Sequence, residues 1–407
     1  MIKTTIFSIL FFLNFGLAFA KPAFDSQTIS NQAADDLDTF RAYSDIDDME
    51  TAIGADQNNI DKYVPLIQLY YSHQIWDKAE EVLKLAIERC PNEHELDLDG
   101  WLADDLLNQK KWDEAKGYLD KAIKKFPNEA GNYYNLAIYN FYKGQYVVAG
   151  KLMKTIALKD KGTQDTYYSL YEHIADKEKY DHPGLIQMAK AALNEEPKNY
   201  KTQRLYAAVL RNTHVKNLDQ QLPEILEHLN TALKLNPKYA LTYVTIADTY
   251  LIMGKNHNNP QHFKTALEWL DKARAINDST YEKLDYVYAN IYLKMSQYEK
   301  AIEYAQRYHK NSPEDQGGGE MLANAYNGFA YDCYQKGMNL HQGIAMIDKA
   351  LKLDPDNGIY LSTKAELFYK LKEYKQAYAL IIKAHDKLPK EEEINQDLVM
   401  IKAMLKK

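Results

Sequence analysis

Cysteine is nearly absent: the 407 residues contain two, Cys90 and Cys333. Two thiols so far apart cannot supply the dense cross-linking on which small secreted scaffolds depend. Each falls within a helical pattern, and both are read as free, buried thiols. Proline (12) and glycine (17) are too sparse for a fibrous or linker-rich chain. Base is not in excess either. Lys and Arg number 50 against 57 Asp and Glu, a net of −7, which excludes a broad nucleic-acid surface. Beyond residue 20 no apolar run approaches the ~20 residues of a membrane span. Catalytic signatures are also missing: no His-Glu-x-x-His run, no phosphate-binding lysine loop and no nucleophile elbow.

What is present begins with an export signal. Lys3, the apolar stretch from Ile6 to Leu17 and the small residues in Ala18-Phe19-Ala20 match a signal peptide cleaved before Lys21. The expected compartment is a periplasm, with secretion as the alternative, and no membrane span remains after cleavage. Residues 21–60 carry two bases against nine acids, so the rest of the chain is almost neutral. Leu37, Phe40, Ile46, Met49 and Ile53 are spaced roughly like a helical face, and an acidic capping helix is expected over 33–55.

Proline, although scarce, is periodic. Pro91, Pro127, Pro197, Pro237, Pro313, Pro355 and Pro389 recur at spacings near 35–40 or twice that, each after a helical run. A second pattern precedes many of them. Trp76-Asp77-Lys78-Ala79, Trp112-Asp113-Glu114-Ala115, Tyr146-Val147-Val148-Ala149, Tyr298-Glu299-Lys300-Ala301 and Tyr374-Lys375-Gln376-Ala377 share an aromatic residue, two variable ones and alanine. Apolar residues then continue at helical spacing, as in Ala115, Leu119 and Ala122. First-helix halves include Tyr63, Leu66, Ile67 and Tyr70, then Tyr133, Leu136 and Ala137, then Tyr326, Phe329, Ala330 and Cys333.

These residues resemble the tetratricopeptide repeat (TPR) family, whose units are antiparallel helix pairs. The resemblance implies an all-α, right-handed superhelical α-solenoid of about nine helix pairs over residues 59–390. Units start near 60, 96, 130, 164, 200, 240, 282, 323 and 358. The segment 21–58 precedes the array and a C-terminal capping helix, 391–407, follows it. That helix carries the stripe Ile394, Leu398, Ile401 and Leu405. Insertions are expected around Val215–Pro223 and Lys255–Gln261, with Pro223 and Pro260 opening second helices. His257 and His262 are placed in a solvated loop, and Gly317–Gly319 in a flexible spacer between repeats.

Tyrosine is the abundant residue, with 33 copies. Tyr63, Tyr70, Tyr133, Tyr146, Tyr250, Tyr292, Tyr298 and Tyr374 occupy repeat-packing slots. The resemblance implies that another set of first-helix positions lines a concave groove. Here these are Tyr71, Asp104, Tyr134, Phe141, Tyr142, Tyr168, Arg204, Tyr286, Asn290, Tyr331, Tyr334, Glu366 and Tyr369. Tyrosine suits such a surface, offering a broad ring and a hydroxyl at low entropic cost. The expected function is a non-enzymatic scaffold that holds a protein or peptide partner, without cofactor or metal. A glycan-binding or polysaccharide-export scaffold is the alternative ligand reading, and an enzyme of unrecognised type the third.

Overall fold

The computed structural model describes residues 46, 48–160, 165–276 and 284–405. The expected signal peptide and residues 21–45 of the acidic segment lie outside the described residues. Residues 48–55 are helical, with Ile53 buried. Nine helix pairs follow: α1 (Ile60–Ser72) with α2 (Trp76–Arg89), α3 (Leu98–Asn108) with α4 (Trp112–Lys125), and α5 (Ala130–Tyr142) with α6 (Tyr146–Lys159). Next come α7 (Thr166–Glu178) with α8 (Pro183–Glu195), α9 (Tyr200–Thr213) with α10 (Leu218–Leu235), and α11 (Ala240–His257) with α12 (Pro260–Ala275). The last pairs are α13 (Leu284–Lys294) with α14 (Tyr298–Asn311), α15 (Gln316–Lys336) with α16 (Leu340–Leu353), and α17 (Gly358–Lys370) with α18 (Tyr374–Lys387). A final helix, α19, covers Glu392–Met404. No strand occurs among the described residues, and the fold is an all-α solenoid of helix pairs.

The periodic prolines and aromatics explain the pairing. A proline bars its predecessor from the helical region, and the residues before Pro91, Pro127, Pro197, Pro313, Pro355 and Pro389 all cap their helices at ψ between 54° and 86°. The freed carbonyls are reused. Tyr133 donates to Pro127 O at 3.1 Å, Gln203 to Pro197 O at 2.7 Å, Tyr243 to Pro237 O at 2.9 Å and Asn395 to Pro389 O at 3.2 Å. Each donor stands six residues after its proline, which fixes how the next helix leaves the turn. Within a pair, the motif aromatic is the first residue of α2, α4, α6, α14 and α18. Two residues earlier the chain enters the left-handed region at Gln74, Lys110, Gly144, Ser296 and Lys372.

The motif alanines Ala79, Ala115, Ala149, Ala301 and Ala377 have no exposed surface, consistent with helices crossing at a methyl's distance. Gly150 takes the approach further: a Cβ there would lie 2.2 Å from the Met188 carbonyl oxygen, so α6 and α8 meet backbone to backbone. Cys90 and Cys333 are free and buried.

The chain divides into two compact units. The first runs to Val215 and includes Gln221–Leu235; the second comprises Lys216–Gln220 and Asn236–Lys407. Within the first, α3, α5, α7 and α9 pack each on the next. Within the second, α11, α13, α15, α17 and α19 do the same. Each unit thus has a continuous row of first helices. In the second unit the row ends on α19, which buries Ile394 and Ile401.

Three local expectations are corrected. Gly317–Gly319 are not a spacer but part of the first turn of α15, capped by the Asp315 side chain. The glycine there serves packing, because a Cβ on Gly318 would lie 2.7 Å from the Tyr308 ring. Pro223 does not open α10; the helix starts at Leu218, a fully buried apolar anchor, and carries the proline inside. Pro260 does open α12. His257 and His262 lie on helices rather than in a loop, because α11 extends to His257 and closes on Asn258 at φ 47°. His257 is 2.9 Å from an Asp219 carboxylate oxygen.

Candidate functional site

Three first helices of the N-terminal unit bring two or three residues each to one spot. A cavity of ≈ 40 Å³ is lined by Asp104, Leu107 and Asn108 of α3, Ile138 and Tyr142 of α5, and His173 and Lys177 of α7. Lys110 and Trp112 close one side. The pairs Asp104/Asn108, Ile138/Tyr142 and His173/Lys177 are four apart, the spacing that stacks side chains on one helix face. Lys177 Nζ donates to Asn108 Oδ1 at 3.0 Å, tying the first helices of two non-adjacent repeats. Trp112 and Tyr142 stack with ring centroids 4.6 Å apart.

The charges here are held against their preference. Burial raises the Asp104 carboxyl to about 6, although the Lys177 charge and a hydrogen bond with Asn135 oppose it. Burial likewise lowers Lys177, with Asp104 opposing. His173 is pushed down to about 3 by burial and by Lys177, and is therefore neutral. Asn135 is 3% exposed and its Oδ1 has no hydrogen-bond partner. Beneath the row, Asp105 is fully buried, raised to about 7 by burial despite a hydrogen bond from Gln109. Gln109 also donates to Glu80 at 2.8 Å. Burial pushes Glu80 up, but bonds from Lys111, Lys84 and Gln109 outweigh it and hold the carboxyl at about 2.

The thirteen positions mapped from the sequence fall into three kinds of environment. Asp104 and Tyr142 line the cavity, and Tyr134 packs edge-on against His173 with centroids 5.9 Å apart. Others join repeats. Tyr71 donates to Trp101 O at 2.8 Å, and Tyr134 to Ser169 O at 3.4 Å. Arg204 is buried, 2.9 Å from Asp165 and 4.3 Å over the Tyr168 ring. Phe141 is buried among Tyr142, Tyr146 and His182. In the C-terminal unit Tyr286 packs on Tyr308 of α14, and Asn290 is half-buried on α13. Tyr331, Tyr334, Glu366 and Tyr369 gather on α15 and α17. Sequence reasoning missed Asn108, Asn135, His173, Lys177 and Asp397. The first four sit on the same helices as the mapped residues, one turn or less from a mapped position or its stacking partner.

Among the described residues no group of three or more His, Cys, Asp or Glu is placed to hold a metal ion. No described helix is long and apolar enough to cross a membrane.

A tetratricopeptide repeat family profile matches residues 101–129, which span most of the α3–α4 pair that carries this cavity. That unit matches the tetratricopeptide repeat, and eight further helix pairs repeat its helix-turn-helix architecture along the chain. Its fold is similar to that of solved relatives. One is YrrB, described as a TPR protein with an unusual peptide-binding site: 16% identity, 52% of this chain and 97% of that one, TM-score 0.39. A tetratricopeptide repeat protein from Parabacteroides merdae is 16% identical over 67% of this chain and 98% of its own, TM-score 0.35. The TPR domain of P58(IPK) is 14% identical over 85% and 98%, TM-score 0.27. No curated protein sequence matches the chain. Tetratricopeptide arrays are in general protein–protein interaction scaffolds, using the extended surface that stacked repeats present.

Proposed function

We propose that the chain is a non-catalytic scaffold that holds a peptide segment of a protein partner along the first-helix row of its N-terminal unit. One observation carries this reading. Asp104 and Lys177 line a single cavity beside the Trp112–Tyr142 stack, and burial works against the charge of both. Opposed, poorly solvated charges beside aromatic rings favour a guest that offers polar main-chain groups and a flat apolar surface. Panning a displayed random-peptide library against the purified chain tests this. Selected peptides should lose affinity about tenfold or more on Tyr142→Ala and on Lys177→Met. Peptides that bind both variants as tightly as the parent would remove the site from the proposal.

We further propose export, supported by Lys3, the apolar run to Leu17 and the Ala18-Phe19-Ala20 site. Sequencing the amino terminus of the protein recovered from cells should give Lys21 first. A mature chain that retains residues 1–20 would overturn it.

A further inference from the structure

The first-helix row of the C-terminal unit ends in a different chemistry. Helix α15 presents Tyr331 and Tyr334, three apart, with ring centroids 5.9 Å apart. Tyr331 is 40% exposed, unusual for so large a ring in a folded array. Across from them, the Glu366 carboxyl of α17 interacts with the Asp397 carboxyl of α19. Glu393, one turn before Asp397, adds a third acid. The base opposing these carboxyls is Lys370, and its Nζ already sits 5.1 Å over the Tyr334 ring.

We propose that this face docks a basic, extended segment of a protein partner, with an arginine or lysine side chain lying across Tyr331 and its cation reaching Glu366 and Asp397. This rests on the scaffold reading above and names the charge of the partner at a second place along the array. Three acids lie near one ammonium, and Glu366 meets the crowding by keeping its proton; a second cation can take that proton's place. Tyrosine faces attract cations, and Lys370 over Tyr334 shows that the α15 rings are reached from this side. An acidic segment would add like charge. A neutral sugar would use the rings but bring no cation to the carboxyls.

The acids also supply a signature. Burial, then Asp397 through its charge and hydrogen bond, then Glu393 hold Glu366 at about 8, with Lys370 opposing. Glu366 therefore keeps its proton near neutrality. The groups facing it are Asp397 and Glu393 of α19, Tyr331 and Tyr334 of α15, and Lys370 of its own helix. Of the other neighbours, Asp348 of α16 pairs with Lys364, and Tyr374 of α18 packs on Tyr369. A guest cation displaces the Glu366 proton, so affinity for an arginine guest rises as pH climbs through about 8.

Fluorescence anisotropy with labelled peptides of alternating Arg-Ala, Gln-Ala and Glu-Ala tests the proposal on the purified chain. Arg-Ala should bind about tenfold or more tighter than Gln-Ala, with Glu-Ala weakest, and should weaken with added salt. Glu366→Gln should weaken Arg-Ala about tenfold and abolish the rise with pH. Tyr331→Ala should weaken it while keeping that rise, and because the ring is exposed the variant keeps its helix content by circular dichroism. Equal binding of the three peptides, or a Glu366→Gln variant with unchanged affinity and pH slope, overturns the basic partner. Those results leave the scaffold reading standing wherever library-selected peptides still depend on Tyr142 and Lys177, whereas failure of the library fails that reading separately.

Discussion

Asp104 and Glu366 hold comparable positions in their two units, each on a first helix with neighbouring first helices on either side. Both are driven toward the protonated form by burial, yet one reaches about 6 and the other about 8. The difference lies on the next helices. Asp104 faces Lys177 of α7 and a hydrogen bond with Asn135 of α5, which give back part of the lost hydration. Glu366 meets Asp397 and Glu393 on α19, so its neighbours add to the burial term. Two units of the same backbone design therefore carry sites of different electrical character. The character of each is decided by a few side chains on other helices of the same unit, Lys177 of α7 for Asp104 and Asp397 and Glu393 of α19 for Glu366.

The sharpest way to break this contrast is to exchange the neighbour. Asp397→Lys gives Glu366 the kind of partner Asp104 has, and should return its carboxyl to or below the ordinary range in a carboxyl-carbon NMR titration. At about pH 9, where the parent carries two facing carboxylates, the variant should be more stable to urea by about 2 kcal/mol. The reverse exchange, Lys177→Met, should move Asp104 upward from about 6. Its stability cost should be smaller, about 1 kcal/mol, because the buried ammonium is itself a burden. If Asp397→Lys leaves Glu366 titrating near 8, burial alone sets its value and the comparison fails.

The next effect is the pH dependence of the unmodified chain. Glu366 holds a proton in the folded state that the unfolded chain releases near its ordinary 4.5. The stability this provides is complete below about 4.5 and is lost as pH rises through about 8. The corresponding windows for Asp104 and Asp105 run from 3.8 to about 6 and about 7. Glu80 acts in the opposite sense: its contribution is present above 4.5 and lost as pH falls toward about 2. Hydrogen-exchange protection in α17–α19 should therefore keep falling between about pH 7 and pH 8, by roughly 1 kcal/mol, while α3–α7 hold level. Glu366→Gln should flatten that fall. Parallel curves in the two units would show that Glu366 is not the titrating group.

Much of the fold was legible because its punctuation is chemical. Proline follows seven of the nine second helices, and the motif aromatic starts five of them, two residues after a left-handed turn. Reading failed where punctuation residues were taken at face value. The three glycines at 317–319 are helical because Tyr308 covers Gly318, and Pro223 is helical because Leu218 anchors the turn before it. The site was less legible. Sequence reasoning took tyrosine as the mark of a binding surface, but Tyr71 and Tyr134 spend their hydroxyls on backbone carbonyls of the next repeat. The charges that define the cavity, Lys177 above all, lie two repeats from the residues they act on. Asp397 was hidden for a similar reason: α19 was read for its apolar stripe, and its polar face completes the Glu366 site.

The smallest effect concerns the turns. Lys110 and Lys372 occupy the same left-handed position in the two units, at φ 61° and 64°, where a Cβ is strained. Both backbone N–H groups stay bonded, to Leu107 O at 3.0 Å and Tyr369 O at 2.9 Å, so glycine would keep the turn and relieve the strain. The unfolded chain gains freedom with glycine and returns part of the benefit. Lys110→Gly and Lys372→Gly should each raise stability by about 0.5–1 kcal/mol, a rise of about 1–2 °C in Tm by calorimetry. Only Lys110 also borders the cavity. Equal stabilisation by the two substitutions, with peptide affinity reduced for Lys110→Gly alone, would assign that lysine to the site rather than to the turn. Reduced affinity for both variants would instead place its effect in the backbone.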